Sequence, residues 1–279
     1  MKKFFLLVLL GWTACAHAHT HVSVGANSTA QGTPLAILDT GYGTNANYVF
    51  DLNYAATGTY AGYFQTGDIS FVSKASYEDH WAAPGTQVRL RFLSVTGPAG
   101  GSFGVWDVEG FNYDELDSSA LTFSLPVGTT NGTNSILLSE NNGEPGAEVY
   151  GHIHGRKYSV TKPGLYVVTV QSYDGAHNGT GGGPIHTPSE AFAIYFQAGD
   201  GITAISRNET QVDILFPTKT GSFAFGTDYY LEATTNLTAN PTWQTIAGPI
   251  TGDNYFHTLS DTDATAPQQY YRLLLTPTP

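Results

Sequence analysis

The chain has one cysteine, Cys15, and one methionine, Met1. Cys15 falls in the N-terminal apolar stretch, so the remainder of the chain has no thiol. That excludes disulfides, thiolate zinc sites, iron–sulfur clusters, blue-copper centres, c-type haem attachment and cysteine nucleophiles. Without an internal methionine there is no thioether copper(I) site either. Long apolar runs are also missing. The run Phe4 to Leu10 is far short of the roughly 20 residues that a membrane-spanning helix needs. Basic residues are scarce, 11 Lys and Arg against 23 Asp and Glu, for a net charge of −12. A chain this acidic is not expected to bind nucleic acid or to be drawn to an anionic membrane. Helical periodicity is almost absent.

What is present first is an export signal. Lys2 and Lys3 precede the short apolar run, and Ala16-His17-Ala18 reads as an A-x-A cleavage site. Cleavage after Ala18 would make His19 the first residue and, with Lys2 and Lys3 gone, move the charge from −12 to −14. A second reading is a lipoprotein lipidated at Cys15, ranked lower because Trp12 suits the apolar position of such a box poorly. Both readings place the protein outside the cytoplasm: secreted, periplasmic or at the cell surface.

The remaining composition is that of a β-protein. Runs such as 86–93, 102–108, 158–160, 165–172 and 191–197 have strand character, separated by Pro84-Gly85, Gly97-Pro98, Asn131-Gly132 and Pro163-Gly164. In 165–172, Tyr166, Val168 and Val170 share one face, which predicts a sheet with one side on a core. A Gly-Asp-Gly boundary at 199–201 precedes a second strand series, 211–216, 228–233, 242–246, 255–259 and 269–275. The expected fold is all-β, with two β-sandwich domains of immunoglobulin or fibronectin type. They would occupy 19–198 and 200–279, after a signal peptide at 1–18. The second core is expected from Leu215, Phe216, Leu231, Trp243 and Leu273. The Gly- and Asn-rich stretch 174–184 reads as a mobile loop.

Two histidine pairs carry the functional expectation. His19-Thr20-His21 stands at the expected cleavage point, and His152-Ile153-His154 lies in an aromatic and β-branched stretch. On a strand, residues two apart share a face, so each pair can aim two imidazoles at one point. Imidazole is the commonest protein ligand for zinc and copper. The predicted ligands are His21, His152 and His154, with His19 adding its ring or α-amine and His80 a further candidate. The plainer reading is that His-x-His on a strand is polar surface. His80 beside Trp81 reads more simply as a loop residue, and His177, His186 and His257 as surface. Gly100-Gly-Ser-Phe-Gly104 fits a nucleophile-elbow pattern, but Val105 to Val108 continue it as a strand, so no hydrolase and no catalytic residue is assigned.

The same residues resemble a known family. His21-Val-Ser-Val-Gly25, Val88 to Pro98 leading to Phe103-Gly-Val-Trp106, and Gly151-His-Ile-His154 followed by Tyr158 to Val170 occur in that order in the bacterial choice-of-anchor, or surface-anchored, domain. The resemblance covers most of 19–198 and implies a β-sandwich and a metal site, but no reaction. Gly155-Arg-Lys stands where the family often has a tryptophan, and cell-wall anchoring is not carried over. The second half, through Tyr230-Leu-Glu232, Asn236-Leu237, Trp243 and Tyr270-Tyr-Arg272, resembles a fibronectin-like C-terminal module of exported Verrucomicrobia and Planctomycete proteins. An N-terminal His19 is similar to the copper-binding histidine of lytic polysaccharide monooxygenases. The leading expectation is an exported cell-envelope protein that binds zinc or copper. A copper-dependent oxidative enzyme using His19 is one alternative. A structural or carbohydrate-contacting surface protein, using Tyr60, Tyr63 and Tyr77 on cell-surface components or polysaccharide, is the other.

Overall fold

The computed structural model describes residues 20–38, 48–66, 69–107, 120–153, 155–220 and 226–278. The described residues are all-β, and none of them is helical, so no helix here could cross a membrane. The signal-peptide reading at 1–18, with Cys15, lies outside the described residues.

The first half contributes twelve strands. They are β1 (Thr20–Ala26), β2 (Leu35–Leu38), β3 (Val49–Tyr54), β4 (Phe64–Thr66), β5 (Ile69–Ser73) and β6 (Val88–Thr96), then β7 (Ser102–Trp106), β8 (Phe123–Pro126), β9 (Ser135–Leu137), β10 (Lys157–Val160), β11 (Gly164–Asp174) and β12 (Phe192–Ala198). Nine of them form one sheet in the order β8-β7-β10-β4-β3-β12-β11-β6-β9, and β2-β1-β5 form a second. Alternation in β11 follows the expected faces, with Tyr166, Val168 and Val170 buried. Two pairings are parallel, β1 with β5 and β3 with β12, so the chain crosses between distant strands rather than running as hairpins alone.

The nine-stranded sheet folds over on itself. Six inter-strand steps separate β6 from β7, about 29 Å if the sheet were flat. Yet the rings of Phe92 on β6 and Phe103 on β7 are 5.9 Å apart, and Phe103 lies 5.2 Å from Phe196 of β12. The two edge strands, β8 and β9, are consecutive in the chain, and the segment between them closes the seam. There Gly128 N donates to Val95 O at 2.9 Å, Gly132 N to Leu93 O at 2.8 Å, and Phe92 N to Asn134 O at 2.9 Å. Edge backbone groups that would face solvent are thereby paired. The three-stranded sheet adds Val22, Val24, Leu35, Ile69 and Phe71 to the same core.

The second half has β13 (Ala204–Asn208), β14 (Gln211–Pro217), β15 (Thr227–Thr234), β16 (Gln244–Thr251), β17 (Phe256–Asp261) and β18 (Tyr270–Pro277). They form two three-stranded sheets, β13-β14-β17 and β16-β15-β18. A separate core lies between them, with Val212, Ile214, Phe216, Tyr229, Leu231 and Leu259. Leu215 is not part of it. It alternates with Ile214 and Phe216, so it points to the opposite face. Trp243 is also outside this core, half-buried under the Arg272 guanidinium at 4.4 Å, while Leu273 packs against the core as expected.

The stretch 174–184, expected to be a mobile loop, is pinned. The buried Asp174 carboxylate accepts from the backbone N–H of Gln87, Ala176 and Ile185 at 2.8–3.1 Å. Asn178 Nδ2 donates to Gly85 O and Gly143 O, both at 2.8 Å, and Gln31 bonds the far side of the loop through Thr180 N and Pro184 O. Side-chain amides and a carboxylate replace the ladder partners that a glycine-rich segment lacks.

Candidate metal centre

His21 lies near the start of β1 on the face opposite Val22 and Val24, which are fully buried. Register sets it against Ser70 of β5. His152 arrives on the other side of β5. Ser73 N donates to Gly151 O at 2.8 Å and Gly151 N to Ser73 O at 3.1 Å, while Lys74 N turns to Val24 O on β1. The two histidines therefore come from opposite flanks of β5, and their rings meet across it.

Glycine makes this approach possible. A Cβ on Gly151 would fall 1.7 Å from Leu138 O, so only glycine lets the 138–140 backbone run beside the histidine segment. Glu140 then fixes His152 from behind: its carboxylate accepts from His152 N at 2.9 Å, and Glu140 N donates to Tyr150 O at 2.9 Å. Ile153, 3% exposed, plugs the segment into the interior. His152 and Ile153 are not in a strand. Only the Ser73–Gly151 bridge ties them to β5, so strand periodicity is not what aims His152.

The outcome is an imidazole pair. His21 Nε2 and His152 Nε2 are 2.9 Å apart, with rings perpendicular and centroids 4.4 Å apart. Both side chains are half-buried. The separation suits a hydrogen bond between one protonated and one bare ring nitrogen. Two zinc ligands at about 2.0–2.1 Å in tetrahedral array need roughly 3.3–3.4 Å, an opening of a few tenths of an ångström.

The other predicted ligands divide into two kinds. His19 and His154 lie outside the described residues. His80 is described, and the structure does not bring it to the pair. It is exposed at a positive φ of 62°, and its carbonyl accepts from Ala26 N at 2.8 Å, at the far end of β1. Four residues of strand separate Gly25, which it overlies, from His21, about 13 Å of rise. Among the described residues no group of three or more His, Asp or Glu is gathered in metal-binding geometry.

His186 and His257 are engaged elsewhere, and His177 is exposed. His186, expected at the surface, is 1% exposed. Its Nδ1 bonds Thr33 O at 2.8 Å and its Nε2 accepts from Ala83 N at 2.9 Å, which fixes the neutral tautomer with the proton on Nδ1. Both nitrogens are occupied by backbone. His257 pairs with Asp253 at 2.8 Å.

Beyond the pair, the chain re-enters the core through an ion pair that the sequence reading missed. Arg156 Nε donates to Asp107 Oδ2 at 2.7 Å, with both side chains buried, and its Nη2 bonds Leu137 O. The adjacent Tyr158 is wholly enclosed. Burial drives its hydroxyl well above the ordinary range; the Arg156 charge opposes that rise and Asp107 adds to it. Nearer the pair, Glu148 accepts from Ser76 Oγ at 2.6 Å and Ser76 N at 3.0 Å. Partial burial pushes its carboxyl up, but these bonds and those from Tyr150 and Val149 outweigh it and hold it below the ordinary value.

Of the three tyrosines expected to be exposed, Tyr60 and Tyr63 are half-buried. Tyr60 and Tyr63 pack edge-on against the buried Trp106 at 5.0 and 5.4 Å, leaving Tyr77, 87% exposed, on its own. Ser102 of the elbow-like pattern opens β7, and a strand, not a helix, follows it.

No protein-family model matches this chain, and no curated protein matches it. The likeness to the choice-of-anchor and fibronectin-like modules rests on the motif residues alone.

Proposed function

We propose that this is an exported β-protein that binds a transition metal, zinc or copper, through the His21 and His152 imidazoles. One observation carries the reading: two histidines 131 positions apart put their Nε2 atoms 2.9 Å from each other across β5. The pair supplies two nitrogen donors. His19 and His154, each two positions from a member of the pair, are the sequence candidates for the others. The donor set is nitrogen only, which suits zinc or copper(II) and not calcium or magnesium. Glu140 contributes by holding the His152 backbone, and hence the ring's origin, in place.

The test is titration of zinc and of copper into tag-free protein, followed by calorimetry and metal analysis. Stoichiometric binding is expected, and His21→Ala and His152→Ala should each weaken it at least about tenfold. An extra residue placed before His19 separates two forms of the site. Affinity that survives the extension fits ligation by rings alone. Affinity that collapses, with peroxide-driven oxidation of a polysaccharide, fits a copper enzyme built on the α-amine. Wild-type protein that takes up neither metal overturns the proposal.

A further inference from the structure

The two cores meet at a lysine. Lys219 follows β14 in the second half, and its side chain is only 8% exposed. Its Nζ lies 3.0 Å from Oδ1 of Asp51, on β3 of the first half, and 3.7 Å from Oδ1 of Asp200, in the connection between the halves. The Asp51 side chain is 19% exposed and the Oδ1 atom facing the amine is sealed from solvent, while Asp200 is 44% exposed. The lysine backbone is fixed as well, Lys219 N donating to Tyr229 OH at 2.9 Å. Around the junction Val49 N donates to Asn254 O at 2.7 Å, Tyr48 packs on Tyr255 at 5.5 Å, and Tyr195 packs on Phe256 at 5.7 Å.

We propose that Lys219 and Asp51 are the partners of an intramolecular isopeptide bond, with Asp200 as the proton carrier. A buried amine and carboxyl held in contact have little solvation to lose on becoming a neutral amide, whereas a buried ion pair keeps its desolvation cost. Fixed contact also supplies the proximity that a bimolecular condensation lacks. The chemistry is a condensation. The Asp200 carboxylate accepts a proton from the Lys219 ammonium, and the freed amine lone pair attacks Asp51 Cγ. The Cγ–N bond forms and a Cγ–O bond breaks. Both protons lost by nitrogen depart on that oxygen as one water, through Asp200, which ends unchanged. Nothing is oxidised or reduced, and no co-reactant is required. The product ties β3 of one core to the end of β14 in the other, in a chain whose only cysteine is Cys15.

The decisive measurement is mass spectrometry of the full-length protein, purified and then denatured. We expect wild type to be one water lighter than its sequence, and its tryptic digest to contain a branched peptide joining the Asp51 and Lys219 segments, with no cleavage after Lys219. Lys219→Arg keeps the positive charge but cannot form this amide, so it should carry the full mass and unfold at a lower temperature. Asp200→Asn should leave most molecules unlinked. A wild-type chain at full mass, cut by trypsin after Lys219 and labelled there by an amine reagent in denaturant, overturns the proposal. So does a missing water located in an unlinked peptide, as a succinimide at Asp200-Gly201 would produce. Wild type alone decides the matter even if a variant fails to fold.

Discussion

His186 and the His21–His152 pair are two histidine neighbourhoods in the same half of the molecule, and their surroundings engage the rings differently. Around His186 the backbone fills both ring nitrogens, Thr33 O on one and Ala83 N on the other, and solvent is excluded. Such a ring acts as a rivet between 33, 83 and 186. Across β5 the two Nε2 atoms face one another in a half-buried setting. There the proposed function gives the same side chain a different task, as a nitrogen donor to a metal ion.

The sharpest way to break this comparison is at the rivet. His186→Ala strands the buried Ala83 N–H, while Thr33 O keeps its bond from Thr187 N, and should cost about 1–3 kcal/mol of stability. Urea unfolding measures this, and metal affinity per folded molecule should not change. A loss below about 1 kcal/mol would mean that water replaces the ring. Next is His152→Ala, where the expectation reverses. Metal affinity should fall at least about tenfold, roughly 1.4 kcal/mol, while apo-protein stability moves by less than that. If stability collapses instead, the pair is itself a rivet.

A smaller effect comes from Glu148, whose folded carboxyl is held below the ordinary value of 4.5. A depressed carboxylate stabilises the fold above its unfolded value, and that contribution is lost as pH falls through the folded one. Thermal midpoints at about pH 6 and about pH 3 should therefore differ less in Glu148→Gln than in wild type. Equal pH sensitivity would show that the Ser76 bonds have no weight in solution. The smallest effect is expected for His80→Asn. Asparagine tolerates the positive φ, so neither stability nor metal affinity should change measurably. A drop in affinity would put His80 back among the ligands.

The second pair of histidines shows how far a motif can be read. His152-Ile153-His154 was legible as a candidate because of its spacing, but the strand argument behind it does not hold. His152 is aimed by the Ser73–Gly151 bridge and by Glu140, neither of which is implied by the spacing. His186, one histidine among several near a glycine-rich loop, gave no sign that its ring would be enclosed. Arg156 with Asp107, and Lys219 with Asp51 and Asp200, lie too far apart in the chain for any local pattern to couple them.

By itself the sequence determined the all-β class and most strands of the second half and around β6, β7, β10, β11 and β12. Period-two alternation and Gly/Pro punctuation are local properties that each segment carries alone. It also limited any metal site to nitrogen and oxygen donors, because composition does not depend on folding. Tertiary structure alone decided the folding-over of the nine-stranded sheet, the parallel pairings of β1 with β5 and β3 with β12, and the meeting of His21 with His152. It also decided the enclosure of Lys219 between two carboxylates. Those are contacts between residues remote in the chain. Their pairing is fixed by which faces must be buried together, and no window of sequence contains both partners.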